Sequence, residues 1–262
     1  MKEEIKPRAP RFFSEQDLSA PEAGISREEA AHALKSRRLS SGARVELFDG
    51  KGSARVGILE KERSGLATVR FCEPVRRFER PLHLLCMAVS PPKGDRMTFL
   101  VEKLSELGAD LVIPVLFHHS RDAGVKEDTA KVSRWRRTAI EAAKQCGRNH
   151  LLAVEPPCRF ESLLLRMKEY DLKVLLQPDS ESEPLSEQLR AAPEAPRRTL
   201  LMVGPEGGIT RDESEKAQAL GSITAGLSPL ILRTETAALA CATLFRAEWP
   251  CLLSERNPTS KP

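Results

Sequence analysis

Two loops near the C-terminal end of this chain carry residues suited to holding a ligand through the main chain. The first reads Met202-Val203-Gly204-Pro205-Glu206-Gly207-Gly208-Ile209-Thr210. The second reads Leu227-Ser228-Pro229-Leu230-Ile231-Leu232-Arg233-Thr234-Glu235-Thr236-Ala237-Ala238. Gly204, Gly207 and Gly208 can adopt positive φ and let a ligand approach the backbone closely. Pro205 stiffens the turn. Bare N–H and C=O groups in such a loop suit an adenine edge or a ribose. Glycines alone are equally well ordinary turn chemistry, so the argument rests on the two loops together. The dinucleotide pattern G-x-G-x-x-G and the phosphate loop G-x-x-x-x-G-K-[ST] are both absent. No metal site is expected: the cysteines form no C-x-x-C pair, and His118 and His119, being adjacent, would face opposite sides of a strand.

These loops need elements that place them side by side. Residues 199–203 and 223–227 read as short buried strands, and 210–220 and 237–249 as helices, the first with an acidic first turn. Adjacent strand-to-helix loops belong at the carboxyl edge of a parallel sheet, where α/β proteins bind ligands. Upstream, residues 82–89 form a continuous apolar run, as in a strand buried on both faces. Pro91-Pro92-Lys93-Gly94-Asp95 is a loop. A helix from Arg96 follows, with Met97, Leu100, Val101, Leu104 and Leu107 on one face, and Gly108 ends it. Residues 111–116 are the next strand. Asp128 or Thr129 opens a helix that buries Val132, Trp135, Ala139, Ala142 or Ala143, and Cys146. Residues 173–177 give another strand, and 178–196 a loop, a short helix and a loop. The βαβ order predicts a parallel sheet with crossover helices.

The N-terminal third has a different pattern. Residues 1–10 read as a loose tail, and Arg11-Phe12-Phe13 as the start of a folded module. Ser26, with Glu29 three residues on, can cap a short helix over 25–34. Lys35-Ser36-Arg37-Arg38-Leu39 is a basic cluster. Three strand-like runs follow at 43–48, 54–60 and 66–71, the first two joined by the turn signal Asp49-Gly50-Lys51-Gly52. This predicts a small β-barrel. Residues 76–81 read as a charged linker, so the expected domains are 1–76 and 77–262.

Composition sets the outer bounds. The 262 residues are 40% hydrophobic, enough for a core, and no apolar run is long enough to span a bilayer. The start, MKEEIKPRAPRFF, lacks the apolar core of a signal peptide. The six cysteines read as buried thiols of a reducing cytosol. Residues 1–80 carry 17 Lys+Arg against 13 Asp+Glu, and residues 81–262 carry 24 of each. All of the net charge of +4 therefore lies in the N-terminal third. That suits a module that meets phosphate, though ordinary surface variation accounts for it equally.

Gly204-Pro205-Glu206-Gly207-Gly208 followed by Ile231-Leu232-Arg233-Thr234-Glu235-Thr236-Ala237 resembles the SPOUT class of S-adenosylmethionine-dependent RNA methyltransferases. Within it the chain resembles the RsmE type, which methylates N3 of a uridine in 16S ribosomal RNA. The resemblance extends to the Arg-Phe-Phe start, Arg37-Arg38-Leu39, Leu47-Phe48-Asp49-Gly50-Lys51-Gly52, the segment PPKGDRM with EKLSELGADLVIPV, and EAAKQCGR. It implies a PUA-like N-terminal barrel that helps hold RNA. It also implies an α/β domain with a parallel sheet and a C-terminal trefoil knot, which general rules would never propose. The implied partners are the small ribosomal subunit and a second copy of the chain in a homodimer. No membrane is implied, and the setting is cytoplasmic.

The resemblance also assigns residues. Leu176, Gly204, Pro205, Glu206, Gly207, Gly208, Leu227, Ser228, Leu232, Thr234 and Thr236 are the candidates for the cofactor site. Arg11, Arg37, Arg38, Arg121, Gln145 and Arg148, with Asn149 beside them, are the candidates for RNA contact. Surface solvation is the alternative for the N-terminal arginines, and a dipole-offsetting helix end for Arg148. Uracil N3 carries a proton at neutral pH, so a carboxylate or relayed water must remove it. Glu235 is the candidate for that step or for orienting the uracil, and Arg233 for offsetting charge on O2 or O4. Glu235 can also simply serve a helix N-terminus. The family's second loop usually has Gly where Ser228 stands and Arg where Leu230 stands. A side chain at 228 is expected to crowd the backbone near the cofactor. The alternatives left open are another RNA target, a ribose 2′-hydroxyl target, and an RNA-binding assembly factor without turnover.

Overall fold

The computed structural model of the chain describes residues 9–61, 66–120, 129–177, 182–192 and 195–251. These fall into two compact units. One takes the described residues of 9–80 with Ala143–Leu151, and the other those of 81–142 and 152–251.

The first unit contains β1 (Arg11–Phe13), β2 (Glu22–Ile25), α1 (Arg27–Ala31), β3 (Arg44–Phe48), β4 (Ser53–Lys61), β5 (Ala67–Phe71) and β6 (Arg76–Arg77). The sheet order is β1-β3-β4-β5-β2, with β6 beside β4. β1 runs parallel to β3, and the other pairs are antiparallel. Alternation along the strands turns Val45, Leu47, Leu59, Ala67 and Val69 inward onto Phe12, Ile25 and Ala30. The Asp49 carboxylate accepts the N–H groups of Lys51 (2.7 Å) and Ser53 (2.9 Å), which closes the turn between β3 and β4. Three details differ from the sequence reading. The Arg-Phe-Phe start is itself a strand. Residues 22–25 pair with β5 before the helix begins. Arg76 and Arg77, expected in a linker, pair with β4.

The second unit contains β7 (Leu84–Val89), α2 (Arg96–Glu106), β8 (Leu111–Leu116), α3 (Thr129–Cys146) up to residue 142, β9 (Ala153–Val154), β10 (Cys158–Arg159), α4 (Phe160–Leu164), β11 (Leu172–Leu176), α5 (Leu185–Arg190), β12 (Arg198–Val203), α6 (Arg211–Ala219), β13 (Ile223–Ala225) and α7 (Thr234–Glu248). Its strands are all parallel, in the order β10-β8-β7-β12-β11-β13, with β9 also on β8. Strand residues alternate between two cores. Leu85, Met87, Val89, Leu201 and Val203 pack with Leu100, Val101, Leu104, Trp135 and Phe245. Cys86, Ala88, Ile113, Leu200 and Met202 pack with Phe160, Leu163 and Ala217 on the other face. An apolar run covered on both faces is what a parallel sheet requires.

Helix α7 begins at Thr234, three residues ahead of the start expected from the sequence. No helix among the described residues is long and apolar enough to cross a membrane. All six thiols are free, but only Cys86 and Cys241 are buried, and Cys72 is exposed. Burial pushes the Cys86 thiol up to about 12, against the opposing hydrogen bond from Tyr170.

Candidate active site

The strand register sets the site. Val89 of β7 pairs with Val203 of β12, Val203 with Leu176 of β11, and Leu176 with Ala225 of β13. Four strands therefore end in one row, and the loops that leave β11, β12 and β13 emerge together. Between them lies a cavity of about 430 Å3. Val203, Leu176, Ala237 and Leu232 give it apolar walls, and Gly204, Pro205, Glu206 and Gly208 present main chain to it.

The first loop is fixed from two sides. Thr210 caps α6: its hydroxyl accepts the Glu213 N–H (3.2 Å), and the Glu213 carboxylate accepts the Thr210 N–H (2.9 Å). The other oxygen of Glu213 accepts the His118 N–H at 2.7 Å, tying the loop after β8 to the same helix end. This is a capping box, whose Thr-x-x-Glu spacing the sequence carries beyond its acidic first turn. Gly208 adopts φ +78°, which favours glycine. A Cβ on Gly204 would run into the Ile209 side chain, and one on Gly207 would come within 3.0 Å of His119 Cβ.

The second loop joins the first through Thr234, whose hydroxyl donates to the Gly204 carbonyl at 3.1 Å. Arg233 is the N-cap of α7 but makes no capping side-chain bond. Arg233 and Thr234 line the cavity, so the amino end of α7 opens onto it. Ser228, expected to crowd the backbone near the cofactor, lines the cavity. Its hydroxyl accepts the Leu230 N–H at 3.0 Å and holds the loop's own turn. Leu230 and Ile231 stand exposed at the rim.

Of the residues expected at the cofactor site, Leu176, Gly204, Pro205, Glu206, Gly208, Leu227, Ser228, Leu232 and Thr234 line the cavity. Gly207 and Thr236 do not, and both are exposed. The sequence reading missed Gln177, Val203, Ile209, Leu230, Ile231 and Ala237, which also line it. Glu235 lies just behind the wall and is 8% exposed. Its carboxylate faces Arg96, whose Nη1 lies 3.4 Å from Oε1 and 3.5 Å from Oε2. The same nitrogen reaches Glu206 Oε1 at 3.2 Å. Burial alone would lower the Arg96 guanidinium, but Glu235 and Glu206 offset this and hold it above its ordinary value. In the sequence Arg96 shows only as a helix start.

The expected RNA contacts divide sharply. Arg11 is 5% exposed. Its guanidinium donates to the carbonyls of Ala143 (3.1 Å) and Arg148 (3.3 Å) and to Asn149 Oδ1 (2.5 Å), pairs with Glu46 and lies over the Phe48 ring. Arg148 is buried, and its Nε donates to the His150 carbonyl. These two arginines and Asn149 therefore lock the first unit together from inside and do not face a phosphate. Arg37, Arg38 and Gln145 are exposed. Arg121 lies outside the described residues.

Against known families, residues 79–246 match the model of an RNA methyltransferase domain, and 25–72 that of an RNA methyltransferase PUA domain. Ribosomal RNA small subunit methyltransferase E of Bacillus subtilis is 31% identical over 87% of this chain and 93% of its own length. The chain belongs to the ribosomal RNA small subunit methyltransferase E family. The methyltransferase E of Mycobacterium tuberculosis is 29% identical over 87% of the chain and 88% of its own length. A crystal structure of the Neisseria gonorrhoeae methyltransferase E, bound to S-adenosylmethionine, superposes with a TM-score of 0.80 at 28% identity, over 92% of this chain and 98% of that one. A Legionella pneumophila methyltransferase with S-adenosylmethionine as bound cofactor gives 0.81 at 26% identity over the same shares. The family accounts for the two-unit plan: a PUA-type module precedes an α/β methyltransferase domain with a parallel sheet.

Proposed function

We propose that the chain uses S-adenosylmethionine to methylate N3 of a uridine in the 16S ribosomal RNA of the small subunit. The observation that carries this reading is the cavity at the carboxyl edge of the sheet, walled by both glycine- and threonine-rich loops in a member of this methyltransferase family. Its volume of about 430 Å3 falls in the range for small-molecule sites. Its main-chain rim and apolar walls fit a nucleoside: Gly204, Pro205, Glu206 and Gly208 offer backbone groups, and Leu176, Leu227 and Leu232 offer contact area. Ser228 and Thr234 complete the holding set, with Gly207 and Thr236 supporting from outside the wall. When bound, the cofactor supplies an electrophilic methyl group on a sulfonium, which needs no metal.

The protein's own task is to hold the uracil in line and to manage one proton. Holding it accounts for much of the rate. Glu235 takes part in removing the N3 proton or orients the ring. Arg233, at the open end of α7, offsets the charge that develops on O2 or O4. N3 lies on the pairing edge, so the target uridine is unpaired or flipped out. Arg37, Arg38 and Gln145 are the exposed candidates for holding RNA, and Arg121 remains a candidate from the sequence. The PUA-like module belongs to residues 1–76, and in 77–262 the chain end is threaded through an earlier loop as a trefoil knot. The working form is a cytoplasmic homodimer.

Labelled methyl transfer to small ribosomal subunits lacking this modification tests the reading. A single methylated uridine with label on N3 is the expected product. Label on a ribose or another base overturns the substrate. Binding of cofactor without transfer makes the chain an RNA-binding assembly factor. Glu235→Gln should slow transfer by about a hundredfold and leave cofactor affinity unchanged; near-normal turnover removes Glu235 from the proton step.

A further inference from the structure

Arg96 occupies a position that its own helix does not favour. It is the first residue of α2, where the positive end of the helix dipole opposes a cation. The N-cap Asp95 makes no capping side-chain bond and instead accepts from Arg134 at 2.8 Å. What offsets this is the pair of carboxylates ahead of it. Arg96 Nη1 lies 3.2 Å from Glu206, in the loop after β12, and 3.4 Å from Glu235, in the first turn of α7. Its Nε donates to the Lys93 carbonyl at 3.3 Å, in the loop after β7. One planar guanidinium thus holds three segments at the carboxyl edge of the sheet, a geometry a lysine point charge reproduces only in part.

The three side chains differ in freedom. The Glu206 side chain is 57% exposed, that of Arg96 34% and that of Glu235 11%. Glu206 can turn to solvent, but Glu235 is held between helices and keeps its direction from Arg96. Thr234, one residue before it, is tied to the Gly204 carbonyl, so the main chain there is already fixed. The remaining freedom is the side-chain torsion of Glu235, and Arg96 takes it up by facing both of its oxygens.

We propose that Arg96 is a positioning residue: by bridging Glu206 and Glu235 it sets the direction of the Glu235 carboxylate and clamps the two ligand loops to the amino end of α2. It lies outside the cavity wall and acts through Glu235. The inference rests on the role given to Glu235 under the proposed function. It carries that role further, to a residue that the loops themselves do not contain.

The test is a double-mutant cycle on the full chain, with single-turnover methyl transfer, substrate titration and calorimetric cofactor binding measured for wild type, Arg96→Ala, Arg96→Lys, Glu235→Gln and Arg96→Ala with Glu235→Gln. Arg96→Ala should lower kcat by about ten- to a hundredfold, as a small misplacement of a reacting group does, with KM for RNA unchanged. Arg96→Lys should recover part of the loss. The double variant should be no slower than Glu235→Gln alone. Losses that multiply in full, or a rise in KM with kcat intact, overturn the proposal. Hydrogen exchange on the cofactor-free protein reads the clamp without activity. Arg96→Ala should speed exchange over residues 204–210 and 227–236 and leave the central strands unchanged; an unchanged profile at both loops overturns it. If the wild type labels no RNA, the proposed function fails at that control, and hydrogen exchange still decides the arginine.

Discussion

At the scale of residues, the site depends on what small side chains leave out and on what threonines tie down. Gly204 is required by contact and not by backbone angle, because a Cβ there meets the Ile209 side chain. Gly204→Ala should therefore displace Ile209, which lines the cavity, and weaken cofactor binding by about tenfold, equivalent to about 1.4 kcal/mol. Ile209→Ala in the same chain should restore most of it, measured by calorimetry. Restoration would not occur if the glycine served only a turn. The glycine motif was legible in the sequence only together with the second loop, because glycines alone are ordinary turn chemistry. The reason for each glycine was not, since it depends on a partner several residues away. Arg96 escaped for the same reason: its carboxylates lie 110 and 139 positions further along the chain.

At the scale of elements, the two ends of α7 do different work. Its amino end opens onto the cavity, while its carboxyl end is fastened at the opposite edge of the sheet. There Arg246 donates to the carbonyls of His83 (2.8 Å) and Gly108 (2.6 Å) and pairs with Asp110 at 2.8 Å. Asp110 also accepts the Leu85 N–H at 2.9 Å, so one buried pair joins α7, β7 and the α2–β8 turn. Removing one partner of such a pair leaves a buried charge without compensation, at a cost of about 3–5 kcal/mol. Arg246→Ala should lower urea stability by that amount, and replacing Asp110 by Ala as well should recover part of it. A loss below about 1 kcal/mol, the value of an exposed pair, would show that the fastening is not buried in solution. The strands and helices themselves followed their sequence patterns closely. The exceptions were the two- to four-residue strands β1, β2, β6, β9 and β10 and the five-residue helix α4, too short to show a period, and the early start of α7. That start lies inside a loop motif, where threonine and glutamate give no apolar spacing to read.

At the scale of the whole molecule, the charge asymmetry of the chain finds only part of its expected use. Two of the arginines singled out for RNA, Arg11 and Arg148, are internal to the first unit, whereas Arg37 and Arg38 are exposed. Replacing Arg37 and Arg38 together by Ala should raise KM for ribosomal subunits without changing kcat. It should also reduce the dependence of log affinity on log salt by about 1.4, two single-strand phosphate contacts' worth. An unchanged salt slope would place the RNA elsewhere. Arg11→Ala should instead lower stability, because it strips hydrogen bonds and a ring contact from the inside of that unit.

The sequence by itself determined the α/β class with its parallel sheet, the preceding PUA-type module, the order of the longer elements and the two loops that wall the cavity. Hydrophobic period and turn chemistry are local, and they survive in a one-dimensional reading. The family followed from motifs in those same loops. Only the tertiary structure decided which charged side chains are available. Arg11 and Arg96 are both arginines beside motif residues. Arg11 lies buried among two main-chain carbonyls, the Asn149 amide oxygen and the Glu46 carboxylate, and Arg96 stands between two carboxylates beside the cavity. Burial and pairing arise from strand order and register, which bring β12 between β7 and β11 and set Glu206, Glu235 and Arg96 within reach of one another. No spacing along the chain encodes that proximity.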